Sequence, residues 1–294
     1  MHLKNLMSAT LAASLMGSTL LAALPATASA ADTLGKKEIT LGYVAWADQL
    51  ASTNALKAVL EQQGYSVKAT SLSAAFMWQG VAQGKLDMIA AWLPTTHATY
   101  YGPLKNKVDN LGANLEGTRL GLVVPDYLND VNSIADLKTH AAEFDNRVVG
   151  IDPGAGIMRI TKEALTKYGL DMKLTSSSDA TMAAVLGDAI REHKPIVATG
   201  WVPHWMFSRW KLKFLDDPKG AYGHAEEIDT ITRKGLKHDS PKAFCIFSHF
   251  KWTPAEMGEL LAMNEKQGSD PYLNAKQWIG QHPEIVKRWT QDCQ

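Results

Sequence analysis

Residues 38–91 read EITLGYVAWADQLASTNALKAVLEQQGYSVKATSLSAAFMWQGVAQGKLDMIAA. Glu38–Val44 is rich in β-formers and predicts a strand. Thr53–Gln63 places Ala55, Leu56, Val59 and Leu60 on one helical face, and Gly64 closes that helix. Val67–Thr70 predicts a second strand, Ala75–Gln83 a second helix stopped at Gly84, and Leu86–Ala91 a third strand. This βαβαβ rhythm calls for a parallel sheet flanked by helices.

The rhythm continues outward. Arg119–Val124 predicts a strand ended by Pro125, and Ser133 with Asp136 three residues on predicts a capped short helix. Strand Arg147–Ile151, helix Met158–Tyr168, strand Lys173–Thr175, helix Asp179–His193 and strand Pro195–Thr199 form a second block. Lys211–Leu215 and Glu227–Arg233 predict further strands. Thr253-Pro254-Ala255-Glu256 is a helix start, and helices near 254–266, 273–280 and 283–291 follow. Two α/β blocks separated near residue 123, with no flexible linker, imply two lobes joined by ordered strands. A ligand is expected in the cleft at the strand C-termini.

Composition narrows the function. The chain has 294 residues, 46% hydrophobic and 20% charged, with 30 basic and 30 acidic side chains. That is an ordinary globular composition, and it has no basic excess for nucleic acid. Residues 1–30 carry Lys4, a diluted apolar run, Pro25 and Ala28-Ser29-Ala30, the pattern of a secretory signal cut after Ala30. The leader has no Cys for lipid attachment, so a soluble periplasmic protein is expected, with a monomer as the simplest state. Cys245 and Cys293 are the two cysteines, compatible with a disulfide or with two free thiols.

Trp46, Trp92 and Trp201 each stand at the end of a predicted strand, whereas Trp78 falls inside a helix and is expected in the core. Three indoles at one cleft would suit a cation without N–H donors, with quaternary ammonium the usual guest. Val149–Met158 runs from strand through Gly150, Gly154 and Gly156 into a helix, and its free amides would hold a carboxylate. It is neither a Gly-x-Gly-x-x-Gly nor a P-loop motif, so no cofactor is implied. A cation cage and an amide nest together describe a zwitterion. His97, five residues after Trp92, is a candidate donor to the carboxylate. No metal-ligand spacing and no nucleophile elbow is present, so neither metal nor catalytic residues are expected. Asp48, Asp126 and Asp152 read as turn-capping acids.

The segments VAWADQLASTNALKAVLEQQGY, AAWLPTTH, GLVVP, GIDPGAGIM, TGWVPHWMFSRWKLKFLDDP and EEIDTITRKGL closely resemble the glycine betaine and proline betaine substrate-binding proteins of osmoprotectant ABC importers. The resemblance covers essentially all of the chain after residue 30. It implies a two-lobed periplasmic-binding-protein fold of the type with two crossing strands. It places lobe 1 at 36–122 plus 226–294 and lobe 2 at 123–225. It implies a tryptophan prism of Trp46, Trp92 and Trp201, a carboxylate site at the Gly156 and Ile157 amides, and assistance from His97. Members of the family differ in the order of their two halves; here the half with Trp46 and Trp92 comes first. The implied partners are a small zwitterionic quaternary-ammonium ligand and the transmembrane subunits of an importer. Carnitine, choline or a sulfonium analogue is the alternative ligand. An exported hydrolase would need a nucleophile–base pair that the sequence lacks, and a chemoreceptor-type sensor a membrane anchor.

Overall fold

A computed structural model describes residues 34–266 and 268–293. The expected signal sequence at 1–30 lies outside the described residues. Nine strands are described: β1 (Glu38–Tyr43), β2 (Ser66–Ser71), β3 (Met88–Leu93), β4 (Val108–Pro125), β5 (Arg147–Val149), β6 (Lys173–Thr175), β7 (Ala198–Val202), β8 (Leu212–Phe214) and β9 (Glu226–Arg233). The α-helices among the described residues are α1 (Ala47–Gln62), α2 (Ala74–Ala82), α3 (Ala98–Leu104), α4 (Leu137–His140), α5 (Gly156–Tyr168), α6 (Asp179–Arg191), α7 (Met206–Arg209), α8 (Leu236–Asp239), α9 (Pro241–His249), α10 (Pro254–Asn264), α11 (Pro271–Gln281) and α12 (Pro283–Thr290).

The strands follow the order β2-β1-β3-β9-β4-β7-β5-β6, with β8 beside β4. The first lobe joins β1 in parallel to β2 and β3, then β3 to antiparallel β9. The second joins β5 in parallel to β6 and β7, with β7 and β8 antiparallel to β4. One strand serves both lobes. β4 pairs with β9 from Val108 to Thr118 and with β7 from Arg119 to Val123. Its ladder with β9 is broken by register shifts, and Gly112 and Gly117 adopt positive φ of 88° and 77° there. Such bulges bend and twist a strand, which lets it leave one sheet for another. The sequence of Val108–Thr118, interrupted by Asn and Gly, hides this half of the strand; pairing with β9 creates it.

Three further boundaries differ from the sequence reading. β3 and β7 run on through Trp92 and Trp201 to Leu93 and Val202. Their ladders continue because Trp92 pairs with Ile228 and Trp201 with Leu120. Both strands stop just before Pro94 and Pro203, which have no N–H to give. α1 begins at Ala47 rather than Thr53, and its reason lies in the site described below.

The C-terminal helices pack on the first lobe around Phe250, Trp252, Trp278 and Trp289, whose ring centroids lie 4.7–5.9 Å apart in successive contacts. Trp78 is fully buried, as its helical position predicted. The sulfurs of Cys245 on α9 and Cys293 after α12 are bonded at 2.03 Å.

Candidate functional site

Each tryptophan of the cleft is set by the end of a strand. After β1, a tight turn forms in which the Trp46 N–H donates to the Val44 carbonyl (2.7 Å) and the Val44 N–H to Gln49 Oε1 (2.9 Å). Trp46 then stands in extended backbone at the N-cap of α1. Trp92 sits near the end of β3 and Trp201 near the end of β7, so the first belongs to one lobe and the second to the other.

The three rings line a small cavity, with about 20 Å³ of room for the centre of a water-sized sphere, together with Thr96, Leu120, Ile151, Ala155, Gly156 and Ile157. The indole N–H groups are spent on acids that do not line it. Trp46 Nε1 donates to Asp152 (3.1 Å), Trp92 Nε1 to Asp48 Oδ2 (3.2 Å) and Trp201 Nε1 to Asp48 Oδ1 (3.1 Å). Thr96 likewise gives its hydroxyl to Glu226 (2.6 Å). The side-chain surface that remains toward the cavity is aromatic and aliphatic.

Asp48 is the residue that sequence reasoning undervalued. It is not a turn cap: 1% exposed, it ties an indole of each lobe to one carboxylate. Burial pushes its pKa up to about 6; the two indole N–H bonds oppose that rise and nearby Asp179 adds to it. At neutral pH it is mostly a carboxylate behind the cage. The pattern Trp-Ala-Asp at the N-terminus of a helix was the available signal.

The opposite wall is the start of α5. Ala155 is its N-cap and makes no side-chain cap bond, so the first amides of the helix, those of Gly156 and Ile157, lack intrahelical partners. Gly156 is required by closeness: a Cβ there would lie 2.1 Å from the Thr96 carbonyl oxygen. That contact joins the lobes, and others surround it. Tyr100 Oη donates to the Gly154 carbonyl (2.7 Å) and Arg159 to the Thr95 carbonyl (3.1 Å). Glu226, first residue of β9, fixes the Thr95–Thr96 turn by accepting both backbone N–H groups at 2.8 and 2.9 Å.

His97 is fully buried and does not line the cavity directly; its ring lies 6.0 Å from that of Trp46. Its Nδ1 accepts the Trp92 backbone N–H (3.3 Å), which leaves the proton on Nε2. Nε2 has no partner among the described residues. Burial lowers the His97 pKa to about 3, so the ring is a neutral donor at physiological pH. Of the residues marked in the sequence, Trp46, Trp92, Trp201, Gly156 and Ile157 share one cavity, and His97 stands behind it. Asp126 takes no part in its lining.

The family model for the substrate binding domain of the ABC-type glycine betaine transport system matches residues 37–281. The chain belongs to that family. It is 48% identical over 151 residues to the glycine betaine/carnitine transport binding protein GbuC of Listeria monocytogenes, a match covering 50% of each chain. The chain thus spans about half the length of that relative. Among solved structures, lactococcal OpuAC, closed around glycine betaine, superposes with a TM-score of 0.82 at 43% identity over 87% of this chain and 100% of that one. The glycine betaine/L-proline-binding protein ProX of Borrelia burgdorferi gives 0.84 at 40% identity, over 87% and 97%. A choline-binding protein with choline bound shares the fold, at a TM-score of 0.80 and 24% identity. These likenesses establish the two-lobed α/β fold of periplasmic binding proteins for this chain.

Proposed function

We propose that this protein captures glycine betaine, or the closely related proline betaine, and hands it to the membrane subunits of an ABC importer. The observation that carries the reading is the pairing, within one cavity, of three indole faces with the uncapped amides of Gly156 and Ile157. A trimethylammonium group offers no hydrogen bonds and is held by ring faces. A carboxylate takes amides at a helix N-terminus. His97, neutral with a buried donor that lacks a protein partner, supplies a third hydrogen bond to it. The Asp48 carboxylate balances the cation from behind Trp92 and Trp201.

The lining favours a betaine over the alternatives. Carnitine and choline carry a hydroxyl, and the one side-chain hydroxyl in the cavity lining, that of Thr96, has its proton on Glu226 and can only accept, amid aromatic and aliphatic surface. An unpaired hydroxyl in an apolar cavity is costly. The lobes of this reading are 36–122 with 226–294, and 123–225, and the ligand closes the cleft by touching both. It works without chemistry on the ligand, as a monomer delivered to the periplasm by its N-terminal signal. Among the described residues no helix is long and apolar enough to cross a membrane.

Isothermal titration with glycine betaine, proline betaine, carnitine and choline tests this reading. Tight betaine and weak choline binding is expected, and His97→Ala should weaken betaine more than choline. Tight choline with weak betaine would reject the carboxylate site, and no binding of any would reject the ligand class.

A further inference from the structure

The N-terminus of α1 carries the Trp46-Ala47-Asp48 segment of the cage. Trp46, its N-cap, makes no side-chain cap bond. The first amide of the helix, that of Ala47, instead donates to Asp179 Oδ2 of the other lobe (2.9 Å), a buried bond. Asp179 is the first residue of α6, and it is not needed by its own helix, which Ser178 caps through the Thr181 N–H. Its carboxylate is therefore free to serve across the cleft. The second oxygen, Oδ1, meets His204 Nε2 at 2.9 Å. His204 Nδ1 accepts the Met206 N–H (3.1 Å), so Nε2 carries the proton and donates to Asp179. The His204 ring stands edge-on to Trp201, 4.7 Å between centroids at 89°. A continuous path thus runs from a cage indole, through His204 and Asp179, to the backbone that presents the other cage residues.

We infer that Asp179 is the latch of the closed cleft, a carboxylate oriented by His204 that caps α1 from the opposite lobe only when the lobes meet, and that its closeness to Asp48 makes closure depend on a cation in the cage. The inference rests on the reading that the cleft closes over a quaternary-ammonium ligand. Two helix N-termini then meet acids at the lobe junction. α5 takes the ligand's carboxylate, and α1 takes the protein's own, each favoured by the helix dipole. Closing an empty cleft buries Asp48 and Asp179 near one another without a compensating charge, which opposes closure. A cation between Trp46, Trp92 and Trp201 removes that opposition. Asp179 does not line the cavity; it is a positioning residue.

The test is stopped-flow tryptophan fluorescence on the wild type, Asp179→Ala and Asp179→Asn, with glycine betaine and with tetramethylammonium, which has no carboxylate. Asp179→Ala should speed dissociation at least ten-fold for both ligands, with association within about two-fold, because a latch holds the closed state whatever occupies the carboxylate site. Asp179→Asn keeps its one carbonyl oxygen as an acceptor for Ala47, gives up the acceptor for His204 and sheds the charge. It should dissociate more slowly than Asp179→Ala, and its ligand-free form should have a smaller radius of gyration by X-ray scattering than the wild type. Unchanged dissociation in Asp179→Ala would overturn the latch. So would a slowed association without faster release, which is the mark of a damaged cage. If the wild type binds neither cation, the functional reading fails. The latch is then judged by scattering alone: an unchanged radius in ligand-free Asp179→Asn overturns it.

Discussion

Gly156→Ala separates the role of the lobe junction from the stability of the fold. A Cβ built at Gly156 meets the Thr96 carbonyl oxygen at 2.1 Å, Thr96 Cγ2 at 2.5 Å and the Thr96 carbonyl carbon at 2.8 Å. Ordinary contact begins near 3.4 Å, so the two walls must part by more than about 1 Å. Neither side yields by a rotamer change. The obstacle is backbone, and Glu226 anchors it through the Thr95 and Thr96 N–H groups and the Thr96 hydroxyl. The start of α5 therefore backs away from the cavity and takes the Gly156 and Ile157 amides with it. Two hydrogen bonds to a charged carboxylate, about 1.5–3 kcal/mol each, are weakened or lost. Allowing for partial loss, affinity for glycine betaine should fall by about 2–4 kcal/mol, roughly 30- to 1,000-fold. The fold itself should not suffer. Gly156 has no positive φ, and alanine gains up to about 1 kcal/mol over glycine in helical backbone. The assay pairs isothermal titration with urea unfolding of ligand-free protein. Weak betaine binding with an unchanged or raised unfolding midpoint is expected, and tetramethylammonium affinity should fall less than that of betaine. Wild-type affinity for betaine in this variant would refute the argument that closure brings Gly156 against Thr96 to form the carboxylate site.

Trp46→Ala, Trp92→Ala and Trp201→Ala should each weaken betaine binding by about 1–3 kcal/mol, from lost cation–π contact and lost apolar area; titration showing wild-type affinity in all three would remove the cage. Betaine affinity should depend on pH through Asp48. Burial holds its pKa at about 6, and a bound cation lowers it by favouring the ionised form. Binding is therefore strongest above pH 6 and declines as pH falls through that value, while Asp48→Asn binds more weakly with a flat profile; a flat wild-type profile from pH 5 to 8 would contradict this. Replacing Cys245 and Cys293 by serine opens a loop of sequence separation 48 and should cost about 2–4 kcal/mol in chemical unfolding, with betaine affinity unchanged because the bond ties α9 to the C-terminal tail.

The alternation of Glu38–Ala91 was enough to set the βαβ order, because hydrophobic period and glycine stops are local properties of the chain. Local chemistry also exposed the capping boxes at Ser133 and Thr253, both of which form. Trp46, Trp92, Trp201 and the Gly154–Ile157 turn were legible as site candidates, since strand ends and glycine-rich turns mark where open α/β sheets bind ligands. Tertiary structure decided the rest. Val108–Thr118 becomes strand only by pairing with β9 through bulges, against its own turn-forming Asn and Gly residues. α1 starts six residues before its apolar periodicity, at Ala47, where Asp179 caps it from 132 residues away in sequence. Asp48 read as a turn-capping acid until two indoles from different lobes were found on its two oxygens. Periodicity and capping follow from neighbours along the chain. The partner of a buried charge follows from which distant segments the fold brings together, and no local pattern records that.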